Sequence, residues 1–252
     1  MSISTRRRIL SLRRAALGAT ILLRGRAQAG AWALHEILRL GPTLLRNSSL
    51  HGPVAKSFRA AGKQVWLTID DGPDPDQTPL LLDLLARHGA KASFFVVGKN
   101  VESNRALCHR ILADGHTLEN HTQSHPSATF WAMPCCAVQE EIEHCSHAIR
   151  VATGECPTWF RSPAGLTSSC VHPAAARAWL RLAGWSADGR DGIPGSTPHA
   201  VAKRILAGVR RGAILLMHEG PGRRSTEVLD LLLQGLSAGG FQCVIPNPAD
   251  VE

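Results

Sequence analysis

From Gln64 onward, short apolar runs alternate with longer stretches whose apolar residues recur every three or four positions. The runs at 64–69, 92–97, 116–120, 158–162, 184–188, 213–218 and 241–245 predict strands. Between the first two, Thr78 to Arg87 places Leu81, Leu82, Leu84 and Leu85 on one helical face and stops before Gly89. Asn104 to Ala113, Ala137 to Ala152, Pro173 to Ala183, Pro198 to Arg210 and Ser225 to Ser237 read as helices that also run to a glycine. Six strand–helix units feeding a seventh strand predict an α/β fold with parallel pairing and right-handed crossovers. An open doubly wound sheet and a closed or distorted barrel both fit that alternation. Polar placement decides between them. Asp70 and Asp71 follow the first strand, His121 the third, Arg161 the fourth, Asp188 and Asp191 the fifth, and His218 ends the sixth. Groups from five strand ends share one rim only if the sheet curls, with the site at the C-terminal face.

Charge is unevenly spread over the 252 residues. The net charge of +8 is concentrated in residues 1–26, which hold seven arginines and no acid. The remainder carries 21 basic against 20 acidic residues, so a nucleic-acid-binding body is not expected. The arm pairs Arg13-Arg14 with the apolar run Ala15 to Leu23, and Ala27-Gln28-Ala29 resembles a cleavage site. Arg24 and Arg26 interrupt that pattern, which leaves three readings: an atypical export signal, an arm on an anionic membrane surface, or a disordered start. Residues 1–62 are read as this arm plus a peripheral helical extension from Trp32 to Phe58, and 63–252 as the domain. Seven cysteines with no C-x-x-C form a poor disulfide framework. They read as small buried hydrophobes, the adjacent Cys135-Cys136 included, which leans towards a reducing, cytoplasmic or membrane-associated setting.

Leu67-Thr68-Ile69-Asp70-Asp71-Gly72 delivers two adjacent carboxylates at a strand end, and His121-Thr122-Gln123-Ser124-His125 spaces two imidazoles to reach one metal ion. One carboxylate and two imidazoles leave open positions for water and substrate, and the second carboxylate is spare for a general base. Each motif alone also fits a helix cap or a solvated loop. Arg161, before the turn Ser162-Pro163-Ala164-Gly165, can fix a base carboxylate, and a turn N–H can meet an oxyanion. His218 ends an apolar run, and Asp191 can orient its imidazole and keep it protonated. His144, Cys145 and His147 read as a solvated helix face, and Trp159 as buried or, with Trp131, as a sugar-stacking surface.

Taken together, residues 64–246 resemble the polysaccharide deacetylase family, or NodB homology domain, of carbohydrate esterases. The segments TIDDG and HTQSH resemble its first two motifs, RSPAG the third, DGRDG more loosely the fourth, and LMH the fifth. The resemblance implies a distorted (β/α) barrel of about seven strands. It implies Asp70 as base, Asp71, His121 and His125 as ligands of a divalent metal, Arg161 as the tether of Asp70, and His218 as acid oriented by Asp191. Zinc suits such a set, as do cobalt, nickel and manganese. The implied substrate is an N-acetylated glycan or glycolipid. Two further readings stay open: an O-acetyl esterase or small-molecule amidohydrolase on the same site, and a catalytically weak membrane-associated carbohydrate-binding module. Ile69 replaces the family's usual phenylalanine, which should alter only packing; Ala164 stands where tyrosine is common and Gly192 replaces a tryptophan, so a reshaped sugar pocket is expected.

Overall fold

The computed structural model describes residues 45–252 apart from positions 192, 194 and 221. The basic arm, the approach from Trp32 as far as residue 44, and Gly192 lie outside the described residues. Strand β1 (Gln64–Asp70) is the centre of the sheet, and six of its seven residues are buried. It reads as an unbroken apolar run because both of its faces are covered. Val65, Leu67 and Ile69 pack outward against the helix layer, while Trp66 joins Phe95, Trp159, Trp185, Ile214 and Leu216 in a second cluster. With a side-chain period of two, Thr68 and Asp70 follow Trp66 to the inner face.

Around β1 run α1 (Thr78–Arg87), β2 (Ala92–Val96), α2 (Gly98–Ser103), α3 (Arg105–Ala113), β3 (Thr117–Asn120) and α4 (Cys135–Thr153). Then come β4 (Trp159–Phe160), α5 (Val171–Arg177), β5 (Arg181–Leu182), β6 (Ala187–Asp188), α6 (Pro198–Ala207), β7 (Ile214–His218), α7 (Ser225–Ala238) and β8 (Gln242–Cys243). The order is β5-β4-β3-β2-β1-β7-β6, all parallel, and β8 pairs with the start of β1. The two ends of that order lie on one stretch of chain. Ala183 N donates to Phe160 O at 2.9 Å and Ser186 N to Ile214 O at 3.0 Å. Residues 181–188 thus border β4 with their first half and β7 with their second, which curls the sheet into a half-barrel.

Several expectations need correction. The helix expected over Pro173 to Ala183 ends at Arg177, and Arg181-Leu182 form a strand instead. The chain turns at Trp179, whose φ is +60°, a conformation usually left to glycine, so no glycine signalled the stop. Residues 45–58, read as part of a helical extension, contain turns and single bridges (Ala55 to Ala183, Ser57 to Ala213, Phe58 to Val251) and no helix. The cysteines are not all unpaired, because Cys135 at the start of α4 is bonded to Cys170, which caps α5. With a bridge closing a separation of 35 residues, the leaning towards a reducing compartment loses its basis. Cys108, Cys145 and Cys243 are buried as expected, whereas Cys136 and Cys156 are exposed.

Candidate active site and metal centre

Strand register builds the rim. Asp70 of β1 lies beside His218 of β7 and Phe95 of β2, Val96 beside Asn120, and Asn120 beside Phe160. One residue further along, Asp71, His121 and Arg161 leave their strands together at the C-terminal edge. The backbone there is bent into the left-handed region at four non-glycine positions: Asp71 (φ +81°), Thr122 (+71°), His125 (+52°) and Ala164 (+54°). Each such residue costs on the order of 1–3 kcal/mol and needs local bonds to hold it. Those bonds are present. Asp71 N donates to Phe95 O, and Asn100 Nδ2 to Asp71 O. Thr122 N donates to Asn120 Oδ1, and His125 N to Thr122 Oγ1. Glu141 on α4 accepts from both the N–H and the hydroxyl of Ser124.

Asp71, His121 and His125 bring one ligand atom each to within 4.8 Å of one another. Among the described residues they are the one group of three or more His, Cys, Asp or Glu side chains so arranged. Asp71 Oδ1 is 3.5 Å from His121 Nε2 and 3.4 Å from His125 Nε2. His121 Nδ1 lies 2.8 Å from the Arg161 carbonyl, which fixes its proton on Nδ1 and leaves the Nε2 lone pair facing the cluster. Burial works against ionisation of Asp71, yet the neighbouring His121, with His218 and His125 behind it, holds its carboxyl well below the usual range. Burial pushes the His125 imidazole towards its neutral form. An ionised carboxylate beside a neutral imidazole is the protonation state that metal binding requires. Asp71 Oδ1 is buried without a hydrogen-bond partner, and such an orphan acceptor is what a cation would satisfy. The donor set fits a divalent ion.

Asp70 is 2% exposed, and its Oδ1 accepts from Arg161 Nη1 at 2.6 Å. The guanidinium is itself buried, donating to Thr68 Oγ1 and to the carbonyls of Ala183 and Gly184, with its face over the Phe95 ring. Opposite, Asp191 accepts from both the Nδ1 and the backbone N–H of His218, at 2.8 and 3.0 Å. Burial would lower the His218 pKa, but the Asp191 hydrogen bond and charge outweigh it and raise it. The Ala164 N–H stays outside the turn's own bonds, which run from Gly165 N to Ser162 O and from Leu166 N to Pro163 O. The seven residues to which the family resemblance gives roles thus lie at one rim. His144 and His147 are exposed with Cys145 buried between them, and Trp159 is buried edge-on to Trp66.

Sequence reasoning missed two residues. Arg223 holds Asp71 Oδ2 at 3.1 Å and lies 3.5 Å from Asp191 Oδ1. Its only sequence signal is an arginine closing the glycine-bearing loop directly after His218. Glu219, fully buried, accepts from Thr78 Oγ1 at 2.5 Å and presses against Gly72, where an added Cβ would meet Glu219 Oε1 at 1.8 Å. Burial raises its pKa from 4.5 to about 8. The folded state therefore binds this proton more tightly than the unfolded chain, and stability falls as pH rises through that window. Glu219→Gln should raise the melting temperature by several degrees at pH 9 and by almost nothing at pH 4.5. Parallel melting curves at both values would contradict the burial argument.

Comparison with known proteins follows the same lines. The family described as polysaccharide deacetylase matches residues 59–183. A chitooligosaccharide deacetylase of Bradyrhizobium is 34% identical over 194 residues, 71% of this chain and 87% of that protein. A peptidoglycan-N-acetylglucosamine deacetylase of Listeria monocytogenes is 36% identical over 72% of this chain and 38% of its own length. The crystal structure of a family 4 acetyl xylan esterase from Clostridium thermocellum with a cobalt ion superposes with a TM-score of 0.66 at 31% identity, covering 72% of this chain and 87% of that one. With a half-barrel fold, an Asp-His-His cluster at its rim and relatives of this similarity, the chain belongs to the polysaccharide deacetylase family.

Proposed function

We propose that this chain is a metal-dependent hydrolase that removes N-acetyl groups from a carbohydrate such as a chitooligosaccharide or a peptidoglycan glucosamine unit. The observation that carries the reading is the orphaned, buried Asp71 Oδ1 between two imidazole nitrogens, with Asp70 3.7 Å from one of them and the His218–Asp191 pair opposite. Asp71, His121 and His125 would hold the ion, zinc by preference, with cobalt, nickel or manganese as substitutes. Bound there, it supplies Lewis acidity towards the acyl oxygen and acidifies water.

The chain's own groups do the rest. Asp70, tethered by Arg161, takes the proton of the attacking water as its oxygen bonds to the acyl carbon. The Ala164 N–H donates to the developing oxyanion. His218, kept protonated and oriented by Asp191, gives its proton to the nitrogen as the C–N bond breaks. Acetate and a free amine result.

The test is amine release from N-acetylated oligosaccharides after metal removal and reconstitution. Chelator treatment should bring release down to background, added zinc or cobalt should restore it, and His125→Ala should bind no ion and stay inactive. Full turnover by chelated protein would sink the metal assignment. The acetyl xylan esterase relative makes one alternative concrete: acetate freed from an O-acetylated glycan, with no amine from any amide substrate, would assign ester chemistry instead.

A further inference from the structure

Beside His218 opens a cavity of about 600 Å³. Arg46, Arg190 and Arg223 line it together with Trp185, Asp188 and Ala164. Three arginines around one cavity are unexpected, because beyond the basic arm the chain is nearly neutral. The local carboxylates pair with only one of them, Arg223, which holds Asp71 Oδ2 at 3.1 Å. Asp188 spends its oxygens on the Trp185 Nε1–H and the Arg190 backbone N–H, both at 2.9 Å. Asp191 is engaged by His218, with Arg223 alongside at 3.5 Å. The side chains of Arg46 and Arg190 are exposed and make no ion pair or hydrogen bond among the described residues. Arg223 Nη1 is buried without a hydrogen-bond partner. Trp185, bonded to Asp188 and almost wholly buried, contributes an apolar part of the lining.

We propose that the cavity selects an anionic substrate: an N-acylated sugar that also bears a carboxylate or phosphate, received by Arg46, Arg190 and Arg223 while the acyl group faces His218. This inference rests on the deacetylase reading and narrows its substrate class. Planar guanidinium groups suit both anions, since each offers paired N–H donors to two oxygens. A neutral chitooligosaccharide would leave Arg46 and Arg190 facing it without a counter-charge.

The experiment compares binding to the metal-loaded full chain by calorimetry. The probes are N-acetylglucosamine, N-acetylglucosamine 1-phosphate and N-acetylmuramic acid, whose charge is a carboxylate. The charged sugars are expected to bind about tenfold or more tightly than the neutral one, a difference that shrinks as salt rises. In Arg46→Gln/Arg190→Gln the ratio should fall towards one; both side chains are exposed, so the fold is expected to tolerate the change. Tighter binding of the phosphate alone would name phosphate as the recognised group, and of the carboxylate alone, a sugar acid. Equal affinity for neutral and charged sugars overturns the proposal. So does a preference that survives both substitutions undiminished, because the anion would then be held without Arg46 and Arg190. Amine release from neutral oligosaccharides with no preference for charge would overturn this inference and keep the deacetylase. Arginine-dependent selectivity with no amine release from any amide would keep the anion site and remove the deacetylase.

Discussion

Asp70→Asn is expected to lower turnover by about 10²–10⁴-fold, the range for loss of a general base, while the protein keeps its full complement of metal. Asp71→Asn should do the opposite and lose the metal first. The two acids are adjacent in sequence but differ in what their oxygens face. Asp70 Oδ1 is taken by Arg161 at 2.6 Å, and its Oδ2 is 3.7 Å from His121 Nε2. Asp71 Oδ1 has no hydrogen-bond partner and lies closer to both imidazoles. The side-chain amide that Asp70→Asn introduces could still accept from Arg161, but it has no charge to offset a guanidinium that is 1% exposed. Breaking a buried pair costs about 3–5 kcal/mol, so a lower melting temperature should accompany the lost activity. Metal content by elemental analysis, beside turnover and a thermal melt, separates the roles. If both variants lose metal equally, the division between base and ligand is wrong.

Much of this arrangement was legible because parallel strands advertise themselves. A run such as Val65 to Ile69, buried on both faces, has to be continuously apolar, and the polar residues that end it stand out. The curled sheet was legible for the same reason: titratable groups at five strand ends meet only on one rim. What the pattern hid has physical causes. Arg181-Leu182 and Ala187-Asp188 are pairs of residues too short to carry a period, and they border different neighbours from one stretch of chain. The helix before them overran in the reading because alanines continue past Arg177 and the turn is made by Trp179 instead of a glycine. Helix α2 is six residues long and mostly polar, so it leaves no stripe.

The site divides in the same way. The residues proposed as ligands and base come from contiguous motifs, whose spacing along one turn is visible in the sequence. Arg223 and Glu219 act across the fold, on Asp71, Asp191 and Thr78, and only tertiary packing brings them there. The Cys135–Cys170 bridge joins the starts of two helices that nothing in the spacing makes neighbours. The small Ala164 side chain lines an open cavity together with Trp185. The structural counterpart of Gly192 lies outside the described residues.

His218→Ala should cost most where the leaving group is hardest to expel. A departing amine needs a proton as its bond to carbon breaks, whereas an activated phenolate leaves without one. The variant is therefore expected to lose about 10²–10⁴-fold on an N-acetyl substrate and much less on an activated acetate ester. Asp191→Asn should give a milder version, with a signature in its pH profile. Asp191 raises the His218 pKa against the effect of burial, by accepting its Nδ1–H and by charge, with Asp70 and Asp71 adding to it. The acid is active below that pKa and lost as pH rises through it. Removing the Asp191 charge lowers the pKa, so the basic limb of kcat/KM should move to lower pH. A residue that merely packs would lower the rate at every pH alike. Equal losses of His218→Ala on amide and activated ester, with an unmoved basic limb in Asp191→Asn, would make the pair structural and leave proton delivery to another group.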